Sequence, residues 1–208
     1  MDSNLRNHWD KVYAARDEDA LTWFEQVPEQ SVALIARYGG LAGGVLDIGG
    51  GASRLPDALL DQGYGDVTVL DLSDAALKVS RDRLGARAGQ VAWVVGSVTE
   101  FVPGRVFGLW HDRAVFHFLV EAEDRLAYLR AMDRALAVDG HAIIATFAED
   151  GPEACSSLPV RRYSSDGLVA EVEAALPGHF RRVEAARHVH ITPKGNRQPF
   201  QITVLAKG

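Results

Sequence analysis

Val45-Leu46-Asp47-Ile48-Gly49-Gly50-Gly51-Ala52-Ser53-Arg54 decides the fold. Val45, Leu46 and Ile48 have the apolar, partly β-branched character of a strand buried on both faces, as in the parallel sheets of α/β proteins. Three consecutive glycines end that strand, and residues without a Cβ turn through positive φ and let the backbone approach a ligand closely. Residues 55–60, with Pro56 in the first turn, read as a helix whose free N–H groups face the same point. Strand, glycine turn and helix in that order place a polar ligand at the tip of the strand.

Two carboxylates narrow the ligand. The dinucleotide fingerprint G-x-G-x-x-G/A needs a small last residue so that helix and strand pack closely, with a pyrophosphate at the helix N-terminus. Counted from Gly49, the pattern supplies Gly51 but ends on Arg54. Asp47 stands two residues before the first glycine, where a carboxylate repels a pyrophosphate and attracts an ammonium group. A second strand over residues 67–70 leads into Asp71; an acid about twenty residues past the glycine turn is the type that accepts hydrogen bonds from ribose hydroxyls. A ligand with an amine and a ribose, and without phosphates, suits both acids.

These residues resemble the class I S-adenosylmethionine-dependent methyltransferases, whose first motif reads apolar-apolar-Asp-apolar-Gly-x-Gly-x-Gly/Ser and whose second strand ends in an acid. The matching positions are Asp47, Gly49, Gly51, Ser53 and Asp71. The resemblance implies a Rossmann-like α/β fold: a doubly wound, mostly parallel seven-stranded sheet with an antiparallel last strand and helices on both faces. It implies S-adenosyl-L-methionine as cofactor, held from the glycine turn by Asp47, Gly49, Gly50, Gly51, Ser53 and Arg54. Asp71, Leu72, Ser97, Val98 and His111 complete that expected set. Ser97 stands where many relatives carry an acid that contacts the adenine amine, so its hydroxyl or the backbone of Ser97 and Val98 takes over that reading.

The pattern His8-Trp9-Asp10…Tyr13…Trp23-Phe24 also resembles the N-terminal segment of a subset of these enzymes. That subset includes lysine methyltransferases acting on citrate synthase and translation elongation factor. Trp9 and Tyr13, spaced i, i+4 on an expected helix over residues 5–13, share a face. With Trp23 they are expected to lie over the cofactor, because a sulfonium gains cation–π attraction from aromatic faces.

Composition bounds the partners. A chain of 208 residues can bury a substantial core, and a net charge of −6 argues against nucleic acid as a substrate. The single cysteine, Cys155, excludes an intramolecular disulfide and suits a reducing, cytoplasmic setting. No apolar signal segment or membrane-length run occurs, so no membrane partner is expected. One methyltransferase domain is expected over residues 1–208, as a monomer or homodimer. Within it, residues 1–40 form an N-terminal helical lid, 41–147 the cofactor-binding core, and 148–208 a substrate-side lid with closing strands.

Helices are expected over residues 28–38, from the Ser73 or Asp74 cap to about residue 84, over 121–138 closed by Asp139-Gly140, and over 167–176. Strands are expected over 91–95, 105–112, 141–147, 180–186 and 200–205. The most chemically loaded stretch follows the fourth strand: Trp110-His111-Asp112-Arg113-Ala114-Val115-Phe116-His117. In an extended chain His111 and Arg113 face one way and Trp110 and Asp112 the other. One pair faces the pocket while the other anchors the sheet, and an Asp112–Arg113 ion pair or a core histidine is the plainer alternative. His188 and His190, two apart, share a face of an extended segment.

Methyl transfer to a protonated amine or hydroxyl needs a base, and imidazole titrates near neutrality. His117 or His111 is the expected base, with His188 or His190 second, while Arg113, Arg161 or Arg162 would hold an anionic acceptor. No short-spaced ligand pair points to a metal. The compact chain and polar lid favour a small-molecule acceptor: a thiol, amine, hydroxyl or metalloid. A protein-lysine methyltransferase and a non-catalytic cofactor-binding module are the alternatives.

Overall fold

The computed structural model describes residues 2–40 and 42–208, so the expected boundary at residue 41 lies outside the described residues. Five strands run parallel: Val45–Ile48 (β1), Val67–Asp71 (β2), Val91–Val95 (β3), Phe107–Arg113 (β4) and Leu136–Phe147 (β5). A two-stranded hairpin, Ala154–Cys155 (β6) and Leu158–Pro159 (β7), stands apart from them. Phe180–Ile191 (β8) and Arg197–Lys207 (β9) close the main sheet, whose order is β3-β2-β1-β4-β5-β9-β8 with β9 antiparallel to β5. This is the doubly wound, seven-stranded architecture expected from the sequence.

Alternation along the central strands feeds two cores. Leu46, Ile48 and Trp110 pack with Tyr128, Leu129 and Met132 of Ala122–Ala135 and with Leu168 and Val172 of Ser165–Ala175. Val45, Val67, Val69 and Leu109 pack on the other side with Leu34 and Ile35 of Glu29–Tyr38, Leu59 of Leu55–Asp61 and Leu77 of Asp74–Leu84. In chain order, with Asp2–Ala14 as α1, these helices are α2 (Glu29–Tyr38), α3 (Leu55–Asp61), α4 (Asp74–Leu84), α5 (Ala122–Ala135) and α6 (Ser165–Ala175). Ser73 caps α4 by accepting from the Ala76 N–H at 3.1 Å, and Ser164 caps α6 by accepting from Gly167 at 3.2 Å.

Several boundaries differ from the sequence reading. Helix α5 stops at Ala135, and Asp139-Gly140 lies within β5 rather than closing a helix. Lys207 Nζ donates to the carbonyls of Asp133 and Leu136, the latter at 3.0 Å, satisfying acceptors that the helix end leaves open. The pairing of β4 with β5 then slips from Phe107↔Leu136 to Leu109↔His141, with Asp139 at φ +63° in the irregular stretch. Arg105 precedes β4 and bridges to Asp66. Strands β8 and β9 extend to Ile191 and from Arg197, which places His188 and His190 inside a strand.

The end of β4 is fixed by one buried acid. Asp112, fully buried, accepts from the Val115 N–H at 2.7 Å, the Phe116 N–H at 2.9 Å and the Tyr128 hydroxyl at 2.6 Å. Tyr128 in turn accepts from Trp110 Nε1 at 2.8 Å. Trp110 and Asp112 therefore face α5, and Asp112 holds the turn in which Ala114 adopts φ +74°. Its role is to anchor, and the ion pair with Arg113 that was the plainer alternative does not form. Asp112→Ala strips partners from two buried N–H groups and a buried hydroxyl and is expected to cost about 3 kcal/mol. The urea unfolding midpoint measures that loss, and Asp112→Asn should recover part of it.

Candidate functional site

A cavity of about 580 Å³ opens at the carboxyl ends of β1 to β4, the position at which open α/β sheets bind ligands. Its wall takes Gly49 from the end of β1, Asp71 and Leu72 from β2, Ser97 and Val98 from beyond β3, and Arg113 and Val115 from β4. Gly49 and Gly51 have φ of +66° and +39°. A Cβ on Gly49 would stand 2.1 Å from Val115, and one on Gly51 would stand 2.9 Å from both Asp71 Oδ2 and the Tyr13 hydroxyl. The glycine turn keeps this corner clear.

Asp71 is the acid on the wall. Its Oδ1 accepts from the Ser73 N–H at 2.8 Å, and burial pushes its carboxyl up to about 7, against that N–H and with further help from the Asp47 carboxylate. Ser97 shares a hydrogen bond with Thr99 at 2.7 Å beside Val98. Above the wall, α1 lays Asn4, Leu5, His8, Trp9 and Tyr13 along the cavity at helical spacing. Trp9 contacts Phe118, Trp23 and Tyr13 with ring centroids 5.3, 5.7 and 6.3 Å apart. Cys155, Leu158 and Pro159 of the β6–β7 hairpin form the facing wall. Burial pushes the Cys155 thiol up to about 11, which keeps it protonated at neutral pH.

Arg113 reaches under the aromatic lid. It donates to the Trp23 carbonyl at 3.1 Å and pairs with Glu25 at 3.0 Å, so its charge is spent on the segment that carries Trp23. His190 Nε2 donates to the Thr22 carbonyl at 2.9 Å, while its Nδ1 lies 3.4 Å from Glu25, and His188 lies 4.0 Å from the same carboxylate. The two histidines do share a face, but they brace the lid segment from behind.

Several expected site residues lie off the cavity. His117 is fully buried, and its Nδ1 accepts from the Phe147 N–H at 3.2 Å. Burial and then the Arg113 charge push its imidazole down to about 3, which leaves a poor proton acceptor for neutral-pH chemistry. His111 sits behind the wall between Asp47 and Ser31, at 2.7 and 2.9 Å. Asp47 is likewise buried and stands beneath the glycine turn, off the lining, as do Gly50 and Gly51. Ser53 accepts from the Leu55 N–H at 3.1 Å, and Arg54 binds Glu18, its Nε at 3.0 Å, pinning the N-terminal loop. Arg161 and Arg162 are exposed and bonded to Glu171 and Glu153.

His8 is the residue that sequence reasoning passed over. It lines the cavity, where none of the four expected histidines does, and its Nε2 is buried without a hydrogen-bond partner among the described residues. The helical stripe that joins Trp9 to Tyr13 also runs through Leu5 and His8, so the signal was in the spacing. Glu121 and Asp124 at the start of α5 add two carboxylates to the lining. Among the described residues no three His, Cys, Asp or Glu side chains gather as a metal site, and no helix is long and apolar enough to cross a membrane.

The wall fits S-adenosylmethionine on this structure's own terms: a buried acid for ribose hydroxyls, glycines that clear its approach, and aromatic faces for a sulfonium. The sheet order and the cavity at the strand tips define a Rossmann-like methyltransferase fold. Residues 45–140 match the family described as a methyltransferase domain.

A mouse (Mus musculus) eEF1A lysine and N-terminal methyltransferase is 28% identical over 138 residues, 66% of this chain and 20% of that protein. The chain thus spans about a fifth of the length of the curated relatives it matches. Among solved structures, a Burkholderia thailandensis 1,6-didemethyltoxoflavin-N1-methyltransferase with S-adenosylhomocysteine is similar with a TM-score of 0.72 and 24% identity, covering 99% of this chain and 85% of that one. The N-methyltransferase NodS of Bradyrhizobium japonicum is similar with a TM-score of 0.71 and 15% identity, covering 96% of each chain.

The Asp71 carboxyl sets a pH signature. Ribose hydroxyls donate to its ionised form, so binding pulls a proton off below pH 7, and S-adenosylhomocysteine affinity should rise from pH 6 to 8 and then level. Well below the pKa the slope approaches tenfold per pH unit. Calorimetric titration at several pH values checks this, with a flat profile expected for Asp71→Asn.

Proposed function

We propose that the protein moves a methyl group to a small-molecule nucleophile held between the N-terminal lid and the β6–β7 hairpin. The cavity carries this reading: it is flanked by side chains from both lids and lined mainly by apolar and aromatic groups, the environment of small-ligand sites. S-adenosylmethionine, when bound, supplies a methyl group on a sulfonium that an aligned lone pair displaces. Asp71 holds the ribose, and Ser97 and Val98 read the adenine. Trp9, Tyr13, Trp23 and Phe118 exclude water and fix the approach of the acceptor.

An amine, hydroxyl or thiol suits this cavity better than a metalloid oxyanion. Arg113, the cation on the lining, is already paired with Glu25, while Asp71, Glu121 and Asp124 leave the lining acidic. Proton acceptance falls to His8, whose Nε2 has no partner of its own. In this reading residues 1–40 act as one lid and 148–163 as the other, over a cofactor-binding core. A protein-lysine acceptor is the second reading, supported by the N-terminal aromatic pattern and by the similarity to an eEF1A lysine and N-terminal methyltransferase.

A panel of amines, phenols, thiols, metalloid oxyanions and candidate proteins, read as S-adenosylhomocysteine formed, separates these readings. Turnover of an uncharged or cationic small molecule is expected, and transfer confined to protein lysines would replace the first reading with the second. His8→Ala should lower turnover about a hundredfold with cofactor affinity nearly unchanged. Equal turnover in the variant would remove His8 as the base.

A further inference from the structure

We propose that His111 and Ser31 are positioning residues for the amino-acid end of the cofactor, acting through Asp47. The inference rests on the reading of Asp47 as the acid that faces the cofactor's ammonium. Asp47 and His111 are direct neighbours across β1 and β4, paired in register. His111 Nδ1 lies 2.7 Å from Asp47 Oδ1, and its Nε2 lies 2.9 Å from the Ser31 hydroxyl on α2. A carboxylate oxygen accepts, so Nδ1 donates to Asp47, while Nε2 shares a hydrogen bond with the Ser31 hydroxyl, which can donate or accept.

The serine-histidine-aspartate order is that of a nucleophilic triad, but the surroundings rule that use out. Ser31 is buried, and the cavity beside it measures about 20 Å³, room for a water molecule and for no substrate. What the chain of bonds does is hold a carboxylate in one orientation. With Oδ1 occupied by His111, Asp47 Oδ2 points under the glycine turn, 2.3 Å from where a Gly50 Cβ would stand. That oxygen is buried and has no hydrogen-bond partner, although Asp47 as a whole is 2% exposed.

A buried, half-satisfied carboxylate is costly by itself. A cation on the far side of the turn offsets that cost, because the dry layer between them screens their attraction weakly. The negative charge of Asp47 therefore acts from one layer behind the wall, and its direction depends on His111. Ser31 fixes the imidazole, and through α2 it ties this charge to the segment that follows the lid.

The test compares two ligands on the full chain by calorimetry. S-adenosylhomocysteine carries the ammonium; 5′-methylthioadenosine keeps adenine, ribose and thioether and lacks the amino-acid end. His111→Ala is expected to weaken S-adenosylhomocysteine about tenfold and to leave methylthioadenosine within about twofold. Ser31→Ala should act in the same direction by about threefold. His111→Asn, which keeps an N–H donor for Asp47, should restore most of the affinity. Asp47→Asn should lower the same ligand selectively, and His111→Ala should add nothing in that background.

Equal losses for both ligands, or full additivity with Asp47→Asn, would overturn the positioning role and leave a structural one. Should His111→Ala fail to fold, the selectivity of Ser31→Ala decides alone. An unchanged ligand ratio in Asp47→Asn would remove the reading of Asp47 and this inference with it. Failure of the unmodified protein to bind either ligand would instead remove the proposed function.

Discussion

Three neighbouring parallel strands end in, or carry near their ends, a buried carboxylate, and the structure is arranged around keeping these like charges apart in function. Asp47, Asp71 and Asp112 come from β1, β2 and β4, and all three are under a tenth exposed. Each has a different supply of donors. Asp112 takes two backbone N–H groups and a tyrosine hydroxyl, so protein atoms alone complete it. Asp71 has the Ser73 N–H and a face on the cavity. Asp47 has His111 on one oxygen and nothing on the other. The graded satisfaction leaves one acid completed by protein atoms, one facing the cavity and one with a buried oxygen that has no partner among the described residues. Burial lifts the Asp71 and Asp112 carboxyls to about 7 and 6, respectively, against the donors that each one has.

The lids depend on this frame through ion pairs that cross from sheet to N-terminal segment. Arg113, whose position follows from the turn that Asp112 holds, grips Glu25 and the Trp23 carbonyl, and His190 grips Thr22. On the other flank, Glu18 bridges Arg54 and Arg83. Trp23 is thus placed by contacts on both sides of its own loop, and through it the packing of Trp9 and Tyr13 is set. Such partly buried pairs contribute modestly to stability. Their consequence lies in geometry: they fix where the aromatic rings stand along the cavity.

Much of this was legible in the sequence, and the illegible part has a definable cause. Glycine turn, paired acids and strand order are local patterns with a single structural outcome, and the sheet follows from them. Alternation also put His111 and Arg113 on one face and Trp110 and Asp112 on the other, as the structure has it. Alternation fixes a face but not a depth: two residues apart on the same strand, Arg113 reaches the cavity while His111 stops behind it. His117 was a base by residue type, and only the packing of Phe118 and Phe147 around it reveals an imidazole too dry to take a proton. The end of α5 was hidden because Leu136 continues the helical stripe while also suiting a strand, and Lys207, 71 residues on, decides between them.

Part of the cavity lining comes from outside the segment that the methyltransferase-domain family matches. Residues 45–140 supply the acids, the glycines and the β4 turn. The rings and the imidazole that roof the cavity come from residues 4–23, and the thiol and apolar groups opposite come from residues 155–159. The hairpin that carries Cys155 turns through Ser156 and Ser157 at φ of +48° and +64°, a strained choice for residues with a Cβ. Two successive positive φ values are what a two-residue hairpin turn requires, with Cys155 paired to Leu158. The strand tips of the core thus form one side of the cavity, and two short segments, the first held by Arg113 and Glu18, form the walls that face it.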